Sequence, residues 1–445
     1  MNKSGPAFTV LTWGCQMNED DSEQISNLLM RMGYQPAGNE EDADIIMLNT
    51  CSVRSKPEQK VRSKLGELRA LKELNPDIII GVCGCMAQKE GKALRRRAPH
   101  IDLIVGTANI EHIPEMITGV LRDRHPLALL DLPRAVNDQA IVPNRLLERG
   151  QIGLKSFVSI MYGCDNFCSY CVVPYVRGKE RSRPPAEITK EVRILAERGV
   201  RDITLLGQNV NSYGKTLDEN RDFTDLLALI NEIDGIDRIR FTTSHPKDLS
   251  DKLIHAIAEM PKVCEHLHLP IQAGDDEILR AMRRGYTVDD YRGLVSSLRE
   301  TAPNVALTTD FLIGFPGETD EQFENTLRFA EEIRFDSAFM FAFNPIRDTA
   351  AAALPDQLQP KVKNQRLRRL IEAQNRISVE INESHIGELF EVLVEGISPK
   401  DPSKVTGLTR QNKTVNFPGP ASLAGTLVEI RAVKAHLWGF TGEIV

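Results

Sequence analysis

Three cysteines in the run Gly163-Cys164-Asp165-Asn166-Phe167-Cys168-Ser169-Tyr170-Cys171 follow the spacing C-x3-C-x2-C. Three thiolates on one short loop can each hold one iron of a cubane cluster. The fourth iron is then left without a protein ligand, an open position where a substrate or cofactor can bind. A zinc loop or a set of buried thiols is the alternative. Structural zinc wants four ligands, however, and no fourth Cys or His stands close by; Pro174 and Arg177 follow instead. A strand pattern over Ser156–Met161 leads directly into the run.

Three more cysteines need no local motif to meet. The chain alternates strand and helix patterns from its start: a strand over Phe8–Trp13 and a helix over Ser22–Arg31 with Ile25, Leu28, Leu29 and Met32 on one face. A strand over Ile45–Leu48, a basic helix over Pro57–Leu74 and strands over Ile78–Val82 and Leu103–Val105 follow. Such a series implies a parallel sheet with right-handed crossovers. Cys15 follows the first strand, Cys51 the second and Cys85 the third. Parallel strands end on one edge, where open α/β sheets bind ligands. The three thiols are therefore expected to converge as a second three-thiolate site, with ordinary buried strand cysteines as the plainer reading. Cys83 is read as a core thiol and Cys264 as structural.

The remaining elements must position these loops. At 445 residues the chain is expected to hold two or three domains, and 41% hydrophobic with 26% charged residues is enough to bury their cores. No apolar run approaches the ~18 residues of a membrane span. Met1–Val10 lacks a basic-then-apolar secretory pattern, so a cytoplasmic protein with no membrane partner is expected. In a reducing compartment the eight cysteines are metal ligands or buried thiols rather than disulfides. A net charge of -7 gives no global attraction to nucleic acid, so RNA binding needs local basic patches. Residues 125–150, with Pro126, Pro133, Asn137, Pro143 and Asn144, read as a linker.

Residues 151–350 hold six strand patterns: Phe157–Met161, Ile203–Leu206, Ile239–Thr243, His266–Ile271, Ala306–Leu312 and Ala338–Phe343. Helix patterns separate them, which suggests an incomplete (β/α)6 barrel with its active site at the carboxyl ends of the strands. Gln208, Asn209, Ser244, His268 and Asp310 fall at those ends. His266 and His268 share one strand face, either toward a ligand or as satisfied core histidines. A helix over 359–384 carries Lys361, Lys363, Arg366, Arg368, Arg369 and Arg376, which reads as a phosphate-facing or merely solvated surface. The last stretch, 385–445, turns β-rich and fits a small antiparallel barrel. There Lys400, Lys404, Arg410, Lys413, Arg431 and Lys434 interleave with Phe417, His436 and Trp438, as on an RNA surface or on a plain β module with solvated lysines.

The cysteine loop, with Tyr170 before its last cysteine, resembles the signature of radical S-adenosylmethionine (SAM) enzymes. The whole chain resembles the methylthiotransferases within that superfamily. The likeness is carried by Gly14-Cys15-Gln16-Met17-Asn18, Asn49-Thr50-Cys51-Ser52-Val53-Arg54, Gly84-Cys85-Met86-Ala87-Gln88, Arg177-Gly178-Lys179-Glu180-Arg181-Ser182-Arg183, the run 205–214 and His266-Leu267-His268-Leu269-Pro270. Cys51-Ser52-Val53-Arg54 and the run 407–417 look like the MiaB branch. The resemblance implies a multidomain α/β chain: a parallel α/β sheet domain at 6–145, a partial (β/α)6 radical SAM core at 150–378 and an antiparallel TRAM β-barrel at 380–445.

It also implies two [4Fe-4S] clusters, one on Cys164, Cys168 and Cys171 and an auxiliary one on Cys15, Cys51 and Cys85, with two SAM molecules per turnover. Tyr170, Gln208, Asn209, Ser244, His268 and Asp310 are assigned to the cofactor, and Lys404, Arg410, Lys413 and Phe417 to RNA. One SAM would methylate a sulfur held at the auxiliary cluster. The second would yield a deoxyadenosyl radical that takes hydrogen from carbon 2 of an adenine, which then accepts the methylthio group. That adenine must leave the anticodon-loop stack. The implied substrate is N6-isopentenyladenosine next to the anticodon. The implied partners are the tRNA anticodon stem-loop, an electron donor such as flavodoxin or ferredoxin, and iron–sulfur assembly machinery. The same chemistry on threonylcarbamoyladenosine or on a ribosomal protein aspartate, and a non-catalytic iron–sulfur RNA-binding protein, are rival readings. Two runs depart from the family pattern, Gln272-Ala273-Gly274-Asp275 and Asn344-Pro345-Ile346-Arg347-Asp348-Thr349, at positions where SAM or substrate contacts would differ.

Overall fold

The computed structural model describes residues 5–52, 55–132 and 153–445. Residues 1–4, Val53, Arg54 and the linker positions Pro133, Asn137, Pro143 and Asn144 lie outside the described residues. Six strands form the first sheet: β1 (Ala7–Trp13), β2 (Gln35–Pro36), β3 (Ile45–Thr50), β4 (Ile79–Gly84), β5 (Leu103–Val105) and β6 (Leu127–Leu129). All pair parallel, in the order β2-β1-β3-β4-β5-β6. β3 and β4 are buried throughout, as expected of apolar strands covered on both faces. Alternate residues enter separate cores, Ile46, Leu48, Ile80 and Val82 on one side and Ile45, Met47, Ile79 and Cys83 on the other. Leu127–Leu129 belongs to this sheet rather than to a linker, and Pro126 sits just before it, where a missing N–H breaks no ladder bond.

Register decides where the cysteines go. Trp13 lies opposite Thr50, and Thr50 opposite Gly84. The three strands end level, so Cys15, Cys51 and Cys85 emerge on one edge. Helix α1 (Gln16–Arg31) starts six residues before the periodicity reading places it. Its first turns are polar yet buried: Asp20 and Asp21 face the next domain, and Asn18 bonds Asn49 at the end of β3.

That domain contains β7 (Lys155–Ser159), a short antiparallel ribbon of β8 (Met161–Tyr162) with β9 (Arg181–Ser182), then β10 (Asp202–Leu206), β11 (Arg238–Thr242), β12 (His266–His268), β13 (Ala306–Ile313) and β14 (Ser337–Ala342). β11-β10-β7 and β12-β13-β14 are parallel sheets, and a parallel bridge between Ile239 and Val263 joins them into an open six-strand arc. Leu205, Ile239, Phe241, Leu267, Leu307 and Phe311 pack outward in the largest core. Alternation turns His266, His268, Thr308, Asp310 and Phe339 toward the lumen.

The final unit is a closed barrel of β15 (Leu389–Ser398), β16 (Asp401–Thr409), β17 (Thr414–Pro418), β18 (Leu427–His436) and β19 (Gly439–Ile444). The small antiparallel barrel expected here is present, with four of its five strand pairings antiparallel. Five strands cannot alternate direction around a closed ring, and β17 pairs with β19 in parallel. This barrel docks at the amino ends of the arc's strands. Arg240 donates to the Thr409 and Arg410 carbonyls at 2.9 and 3.0 Å, and Arg410 forks onto Glu265 at 2.7 and 2.8 Å. The basic helix, Pro360–Ser384, directs its charges at the helix Asp320–Ile333. Arg366 meets Glu318 and Asp320, Arg369 meets Glu324, and Arg376 meets Glu331. Arg366, Arg369 and Arg376 therefore serve as an ion-paired helix contact, Lys363 donates to the Phe343 carbonyl at 2.8 Å, and Lys361 and Arg368 stay exposed.

Candidate functional site

Cys15 stands at the N-terminus of α1, where its N–H donates to Asn18 Oδ1 at 3.3 Å. Asn18 donates on to Asn49 at 3.0 Å, and Asn49 returns a bond to the Asn18 carbonyl at 2.8 Å. This buried exchange fixes the β1 and β3 ends against each other. Gly84 has φ +84°, and a Cβ there would meet Asn49 Oδ1 at 2.4 Å, so only glycine lets the chain turn into Cys85. Cys51 and Cys85 are buried and Cys15 is open to solvent. A hydrogen bond with Cys51 holds the Cys15 thiol down to about 5. Burial raises Cys85, with Arg177 pulling the other way. Cys83 stays in the sheet core, 3.5 Å from the Leu48 carbonyl, and Cys264 is buried in the arc.

The second trio is held just as tightly. Gly163 has φ +78°, and a Cβ would sit 2.0 Å from the Lys179 carbonyl. Ser169 bonds the Met282 and Ala281 carbonyls at 3.0 and 2.8 Å, which pins the loop to the arc. Burial pushes the Cys164 and Cys171 thiols up to about 11 and about 12. A bound metal reverses that preference, because its charge makes the thiolate the stable form. Among the described residues no three His, Cys, Asp or Glu side chains are tight enough to hold a single metal ion. A cubane asks for less, since each thiolate takes a different iron.

Of the residues assigned to a cofactor, Gln208 Oε1, Asn209 Oδ1 and Ser244 Oγ are buried without a hydrogen-bond partner among the described residues, as is His245 Nε2 beside them. Their two loops are tied by reciprocal bonds between Asn211 and His245, at 2.9 and 3.0 Å. Burial lowers His245 to about 2, so it is neutral. An unpaired buried polar atom costs about 1–3 kcal/mol, and this cluster suits a small polar ligand that would satisfy it. His268 rests on Thr308 at 3.0 Å and lies 3.5 Å from Asp310, both in the lumen. Tyr170 packs into the core, its hydroxyl 3.4 Å from Arg284.

Sequence reasoning missed two buried guanidinium groups. Arg284 donates to Cys168 Sγ at 3.3 Å from 116 positions away, a separation with no local signal. Arg177 pairs with Asp21 at 2.8 Å across the domain boundary. Burial raises Asp21 to about 6 against the pull of Arg177, so both are charged near neutrality. At the same boundary Thr107 bonds the Val176 carbonyl at 2.5 Å, Ser159 bonds Asp20 at 2.6 Å, and Val172, Val176 and Ile346 pack on Cys85. The two trios thus flank one short helix, Val173–Arg177. Of the two departing runs, Asp275 caps the helix Asp276–Ala281, and Ile346 reaches the auxiliary cysteine.

Three of the four assigned RNA contacts need correction. Phe417 lies in the barrel core, fully buried, because its strand alternates inward at that position. Arg410 is turned onto Glu265, and Lys413 onto Asp336 and Asn382, both at 2.7 Å, so these cations fasten the barrel to the arc. Lys404 is at the surface, paired with Asp401 at 3.1 Å. Trp438 is 63% exposed, with Lys434 and His436 also outward. Trp438→Ala is expected to weaken tRNA binding about tenfold with the fold intact, since one stacked base contributes about 1–3 kcal/mol. Phe417→Ala should instead cost about 3–5 kcal/mol of stability. Filter binding and thermal melting separate the two.

Three family descriptions match: Uncharacterized protein family UPF0004 at residues 7–106, the Radical SAM superfamily at 158–330 and the TRAM domain at 383–445. A protein of Moorella thermoacetica named tRNA-2-methylthio-N(6)-dimethylallyladenosine synthase is 47% identical, over 100% of both chains. Proteins of the same name from Alkaliphilus oremlandii and Pelotomaculum thermopropionicum are each 48% identical, over 98% of this chain and 92% and 97% of theirs. Among solved structures, the radical S-adenosylmethionine methyltransferase TsrM of Kitasatospora setae, with cobalamin and a [4Fe-4S] cluster bound, superposes with a TM-score of 0.58 at 15% identity, covering 87% of this chain and 81% of that one. At that identity the likeness concerns the fold alone.

Proposed function

The chain belongs to the family of tRNA-2-methylthio-N(6)-dimethylallyladenosine synthases, and on that premise we propose that it adds a methylthio group to carbon 2 of N6-isopentenyladenosine, next to the anticodon of tRNA. The observation that carries this reading is the meeting of two cysteine trios, one from each α/β domain, on either side of a single helix. When bound, two [4Fe-4S] clusters and two molecules of SAM supply the electron, the radical and the methylated sulfur.

Cys164, Cys168 and Cys171 hold one cluster, with Arg284 bracing Cys168. Cys15, Cys51 and Cys85 hold the other. Gln208, Asn209, Ser244 and His245 bind and orient SAM through their unpaired polar atoms. His268, Asp310 and Phe339 face the lumen where the flipped adenine enters, and the ring of Phe339 lies edge-on to His268 at 5.8 Å.

The tRNA anticodon stem-loop is the macromolecular partner, with an electron donor such as flavodoxin or ferredoxin and the iron–sulfur assembly machinery as transient ones. None of the described helices is long and apolar enough to cross a membrane, and tRNA as substrate points to the cytoplasm. Mass spectrometry of tRNA nucleosides from a deletion strain is expected to show loss of the methylthio-isopentenyl nucleoside and accumulation of isopentenyladenosine. Loss of a methylthio-threonylcarbamoyl nucleoside instead would refute the substrate assignment.

A further inference from the structure

Asp21, Cys15 and Cys85 come from the first sheet domain, and Arg177 reaches them from the second. Arg177 is the last residue of the helix Val173–Arg177, which begins two residues after Cys171. Its Nη2 donates to Asp21 Oδ2 at 2.8 Å, and both side chains are under 5% exposed. Val176, the residue before Arg177, packs on Cys85, which brings the guanidinium within electrostatic reach of the Cys85 and Cys15 thiols. One guanidinium therefore pairs with a carboxylate and acts on the auxiliary cysteines at once, while its own helix follows directly from the other cysteine loop.

The charges make this arrangement consequential. A resting cubane with three thiolates carries one net negative charge, and a sulfur anion at its open iron adds another. Asp21 contributes a third in the same buried place. Buried charge of one sign is costly unless paired, and among the described residues Arg177 is the cation that acts on Cys15, Cys85 and Asp21 together. Cluster potential follows net charge and hydrogen bonds to sulfur.

We propose that Arg177 is a positioning residue for the auxiliary centre: it keeps that centre in fixed register with the radical SAM loop and raises its reduction potential. This rests on Cys15, Cys51 and Cys85 holding a cluster. The two substitutions that test it pull in opposite directions. Arg177→Met removes the cation and lowers the potential. Asp21→Asn removes an anion and raises it. Arg177→Lys keeps the charge without the fork and restores most of the potential.

The test is an EPR-monitored redox titration of the full chain, reconstituted without oxygen, in the wild type and in a Cys164→Ala, Cys168→Ala, Cys171→Ala background that leaves only the auxiliary signal. Iron content is measured alongside. The expected result is a downward shift for Arg177→Met and an upward one for Asp21→Asn. If Arg177→Met loses its auxiliary iron, the sign of the Asp21→Asn shift decides. Unchanged potentials, or shifts of the same sign, overturn the role of Arg177 while leaving the auxiliary cluster standing. A wild-type protein with no second cluster overturns both, and neither outcome depends on which nucleoside is modified.

Discussion

Replacing Cys15, Cys51 and Cys85 together by Ala abolishes methylthiolation of tRNA, while deoxyadenosine still forms from SAM. The expectation follows from the separate support of the two trios. The first is built by the level ends of β1, β3 and β4 and by the Asn18–Asn49 exchange. The second is built by the loop after β8, pinned to Met282 and Ala281 and braced by Arg284. No bond of the second set passes through a cysteine of the first. Iron should fall from about eight to about four atoms per chain. Each buried cysteine-to-alanine change costs about 1 kcal/mol, and only Cys51 and Cys85 of the three are buried, so the sheet survives. Methylthiolated RNA from the triple variant would end the auxiliary assignment.

Much of this site is legible in the chain because its signals are of two simple kinds. Strand patterns and parallel topology bring Cys15, Cys51 and Cys85 to one edge before any coordinates are known, since level strand ends follow from pairing. The C-x3-C-x2-C run needs no topology at all. What escaped was long-range and polar. The buried first turns of α1 look like a surface, because Asp20 and Asp21 bury against another domain. Arg284 is one of a basic pair with Arg283, and nothing local marks it until the fold carries it to Cys168. Three of the RNA assignments failed for a related reason. Basic and aromatic residues on a short barrel read alike whether they point outward, like Trp438, or inward, like Phe417, until the strand register that tells them apart is known.

Replacing Cys164, Cys168 and Cys171 by Ala should remove deoxyadenosine formation and methylthiolation together, both to background, while tRNA binding is kept. The geometry separates these properties. The cysteine loop lies at the carboxyl ends of the arc's strands. The small barrel, with outward Trp438 and Lys434, is fastened at their amino ends through Arg240, Arg410 and Lys413. None of those bonds passes through the loop, so the RNA surface keeps its place when the cluster is absent. About four irons per chain should remain on the first sheet, the complement of the other triple variant. The pair of variants forms a crossed test: one retains SAM cleavage and the other does not, and neither transfers sulfur. Deoxyadenosine produced by the Cys164, Cys168 and Cys171 variant would mean that the C-x3-C-x2-C loop is not where SAM is cleaved. Loss of tRNA binding in the same variant would mean that the loop, and not the distal barrel, holds the RNA.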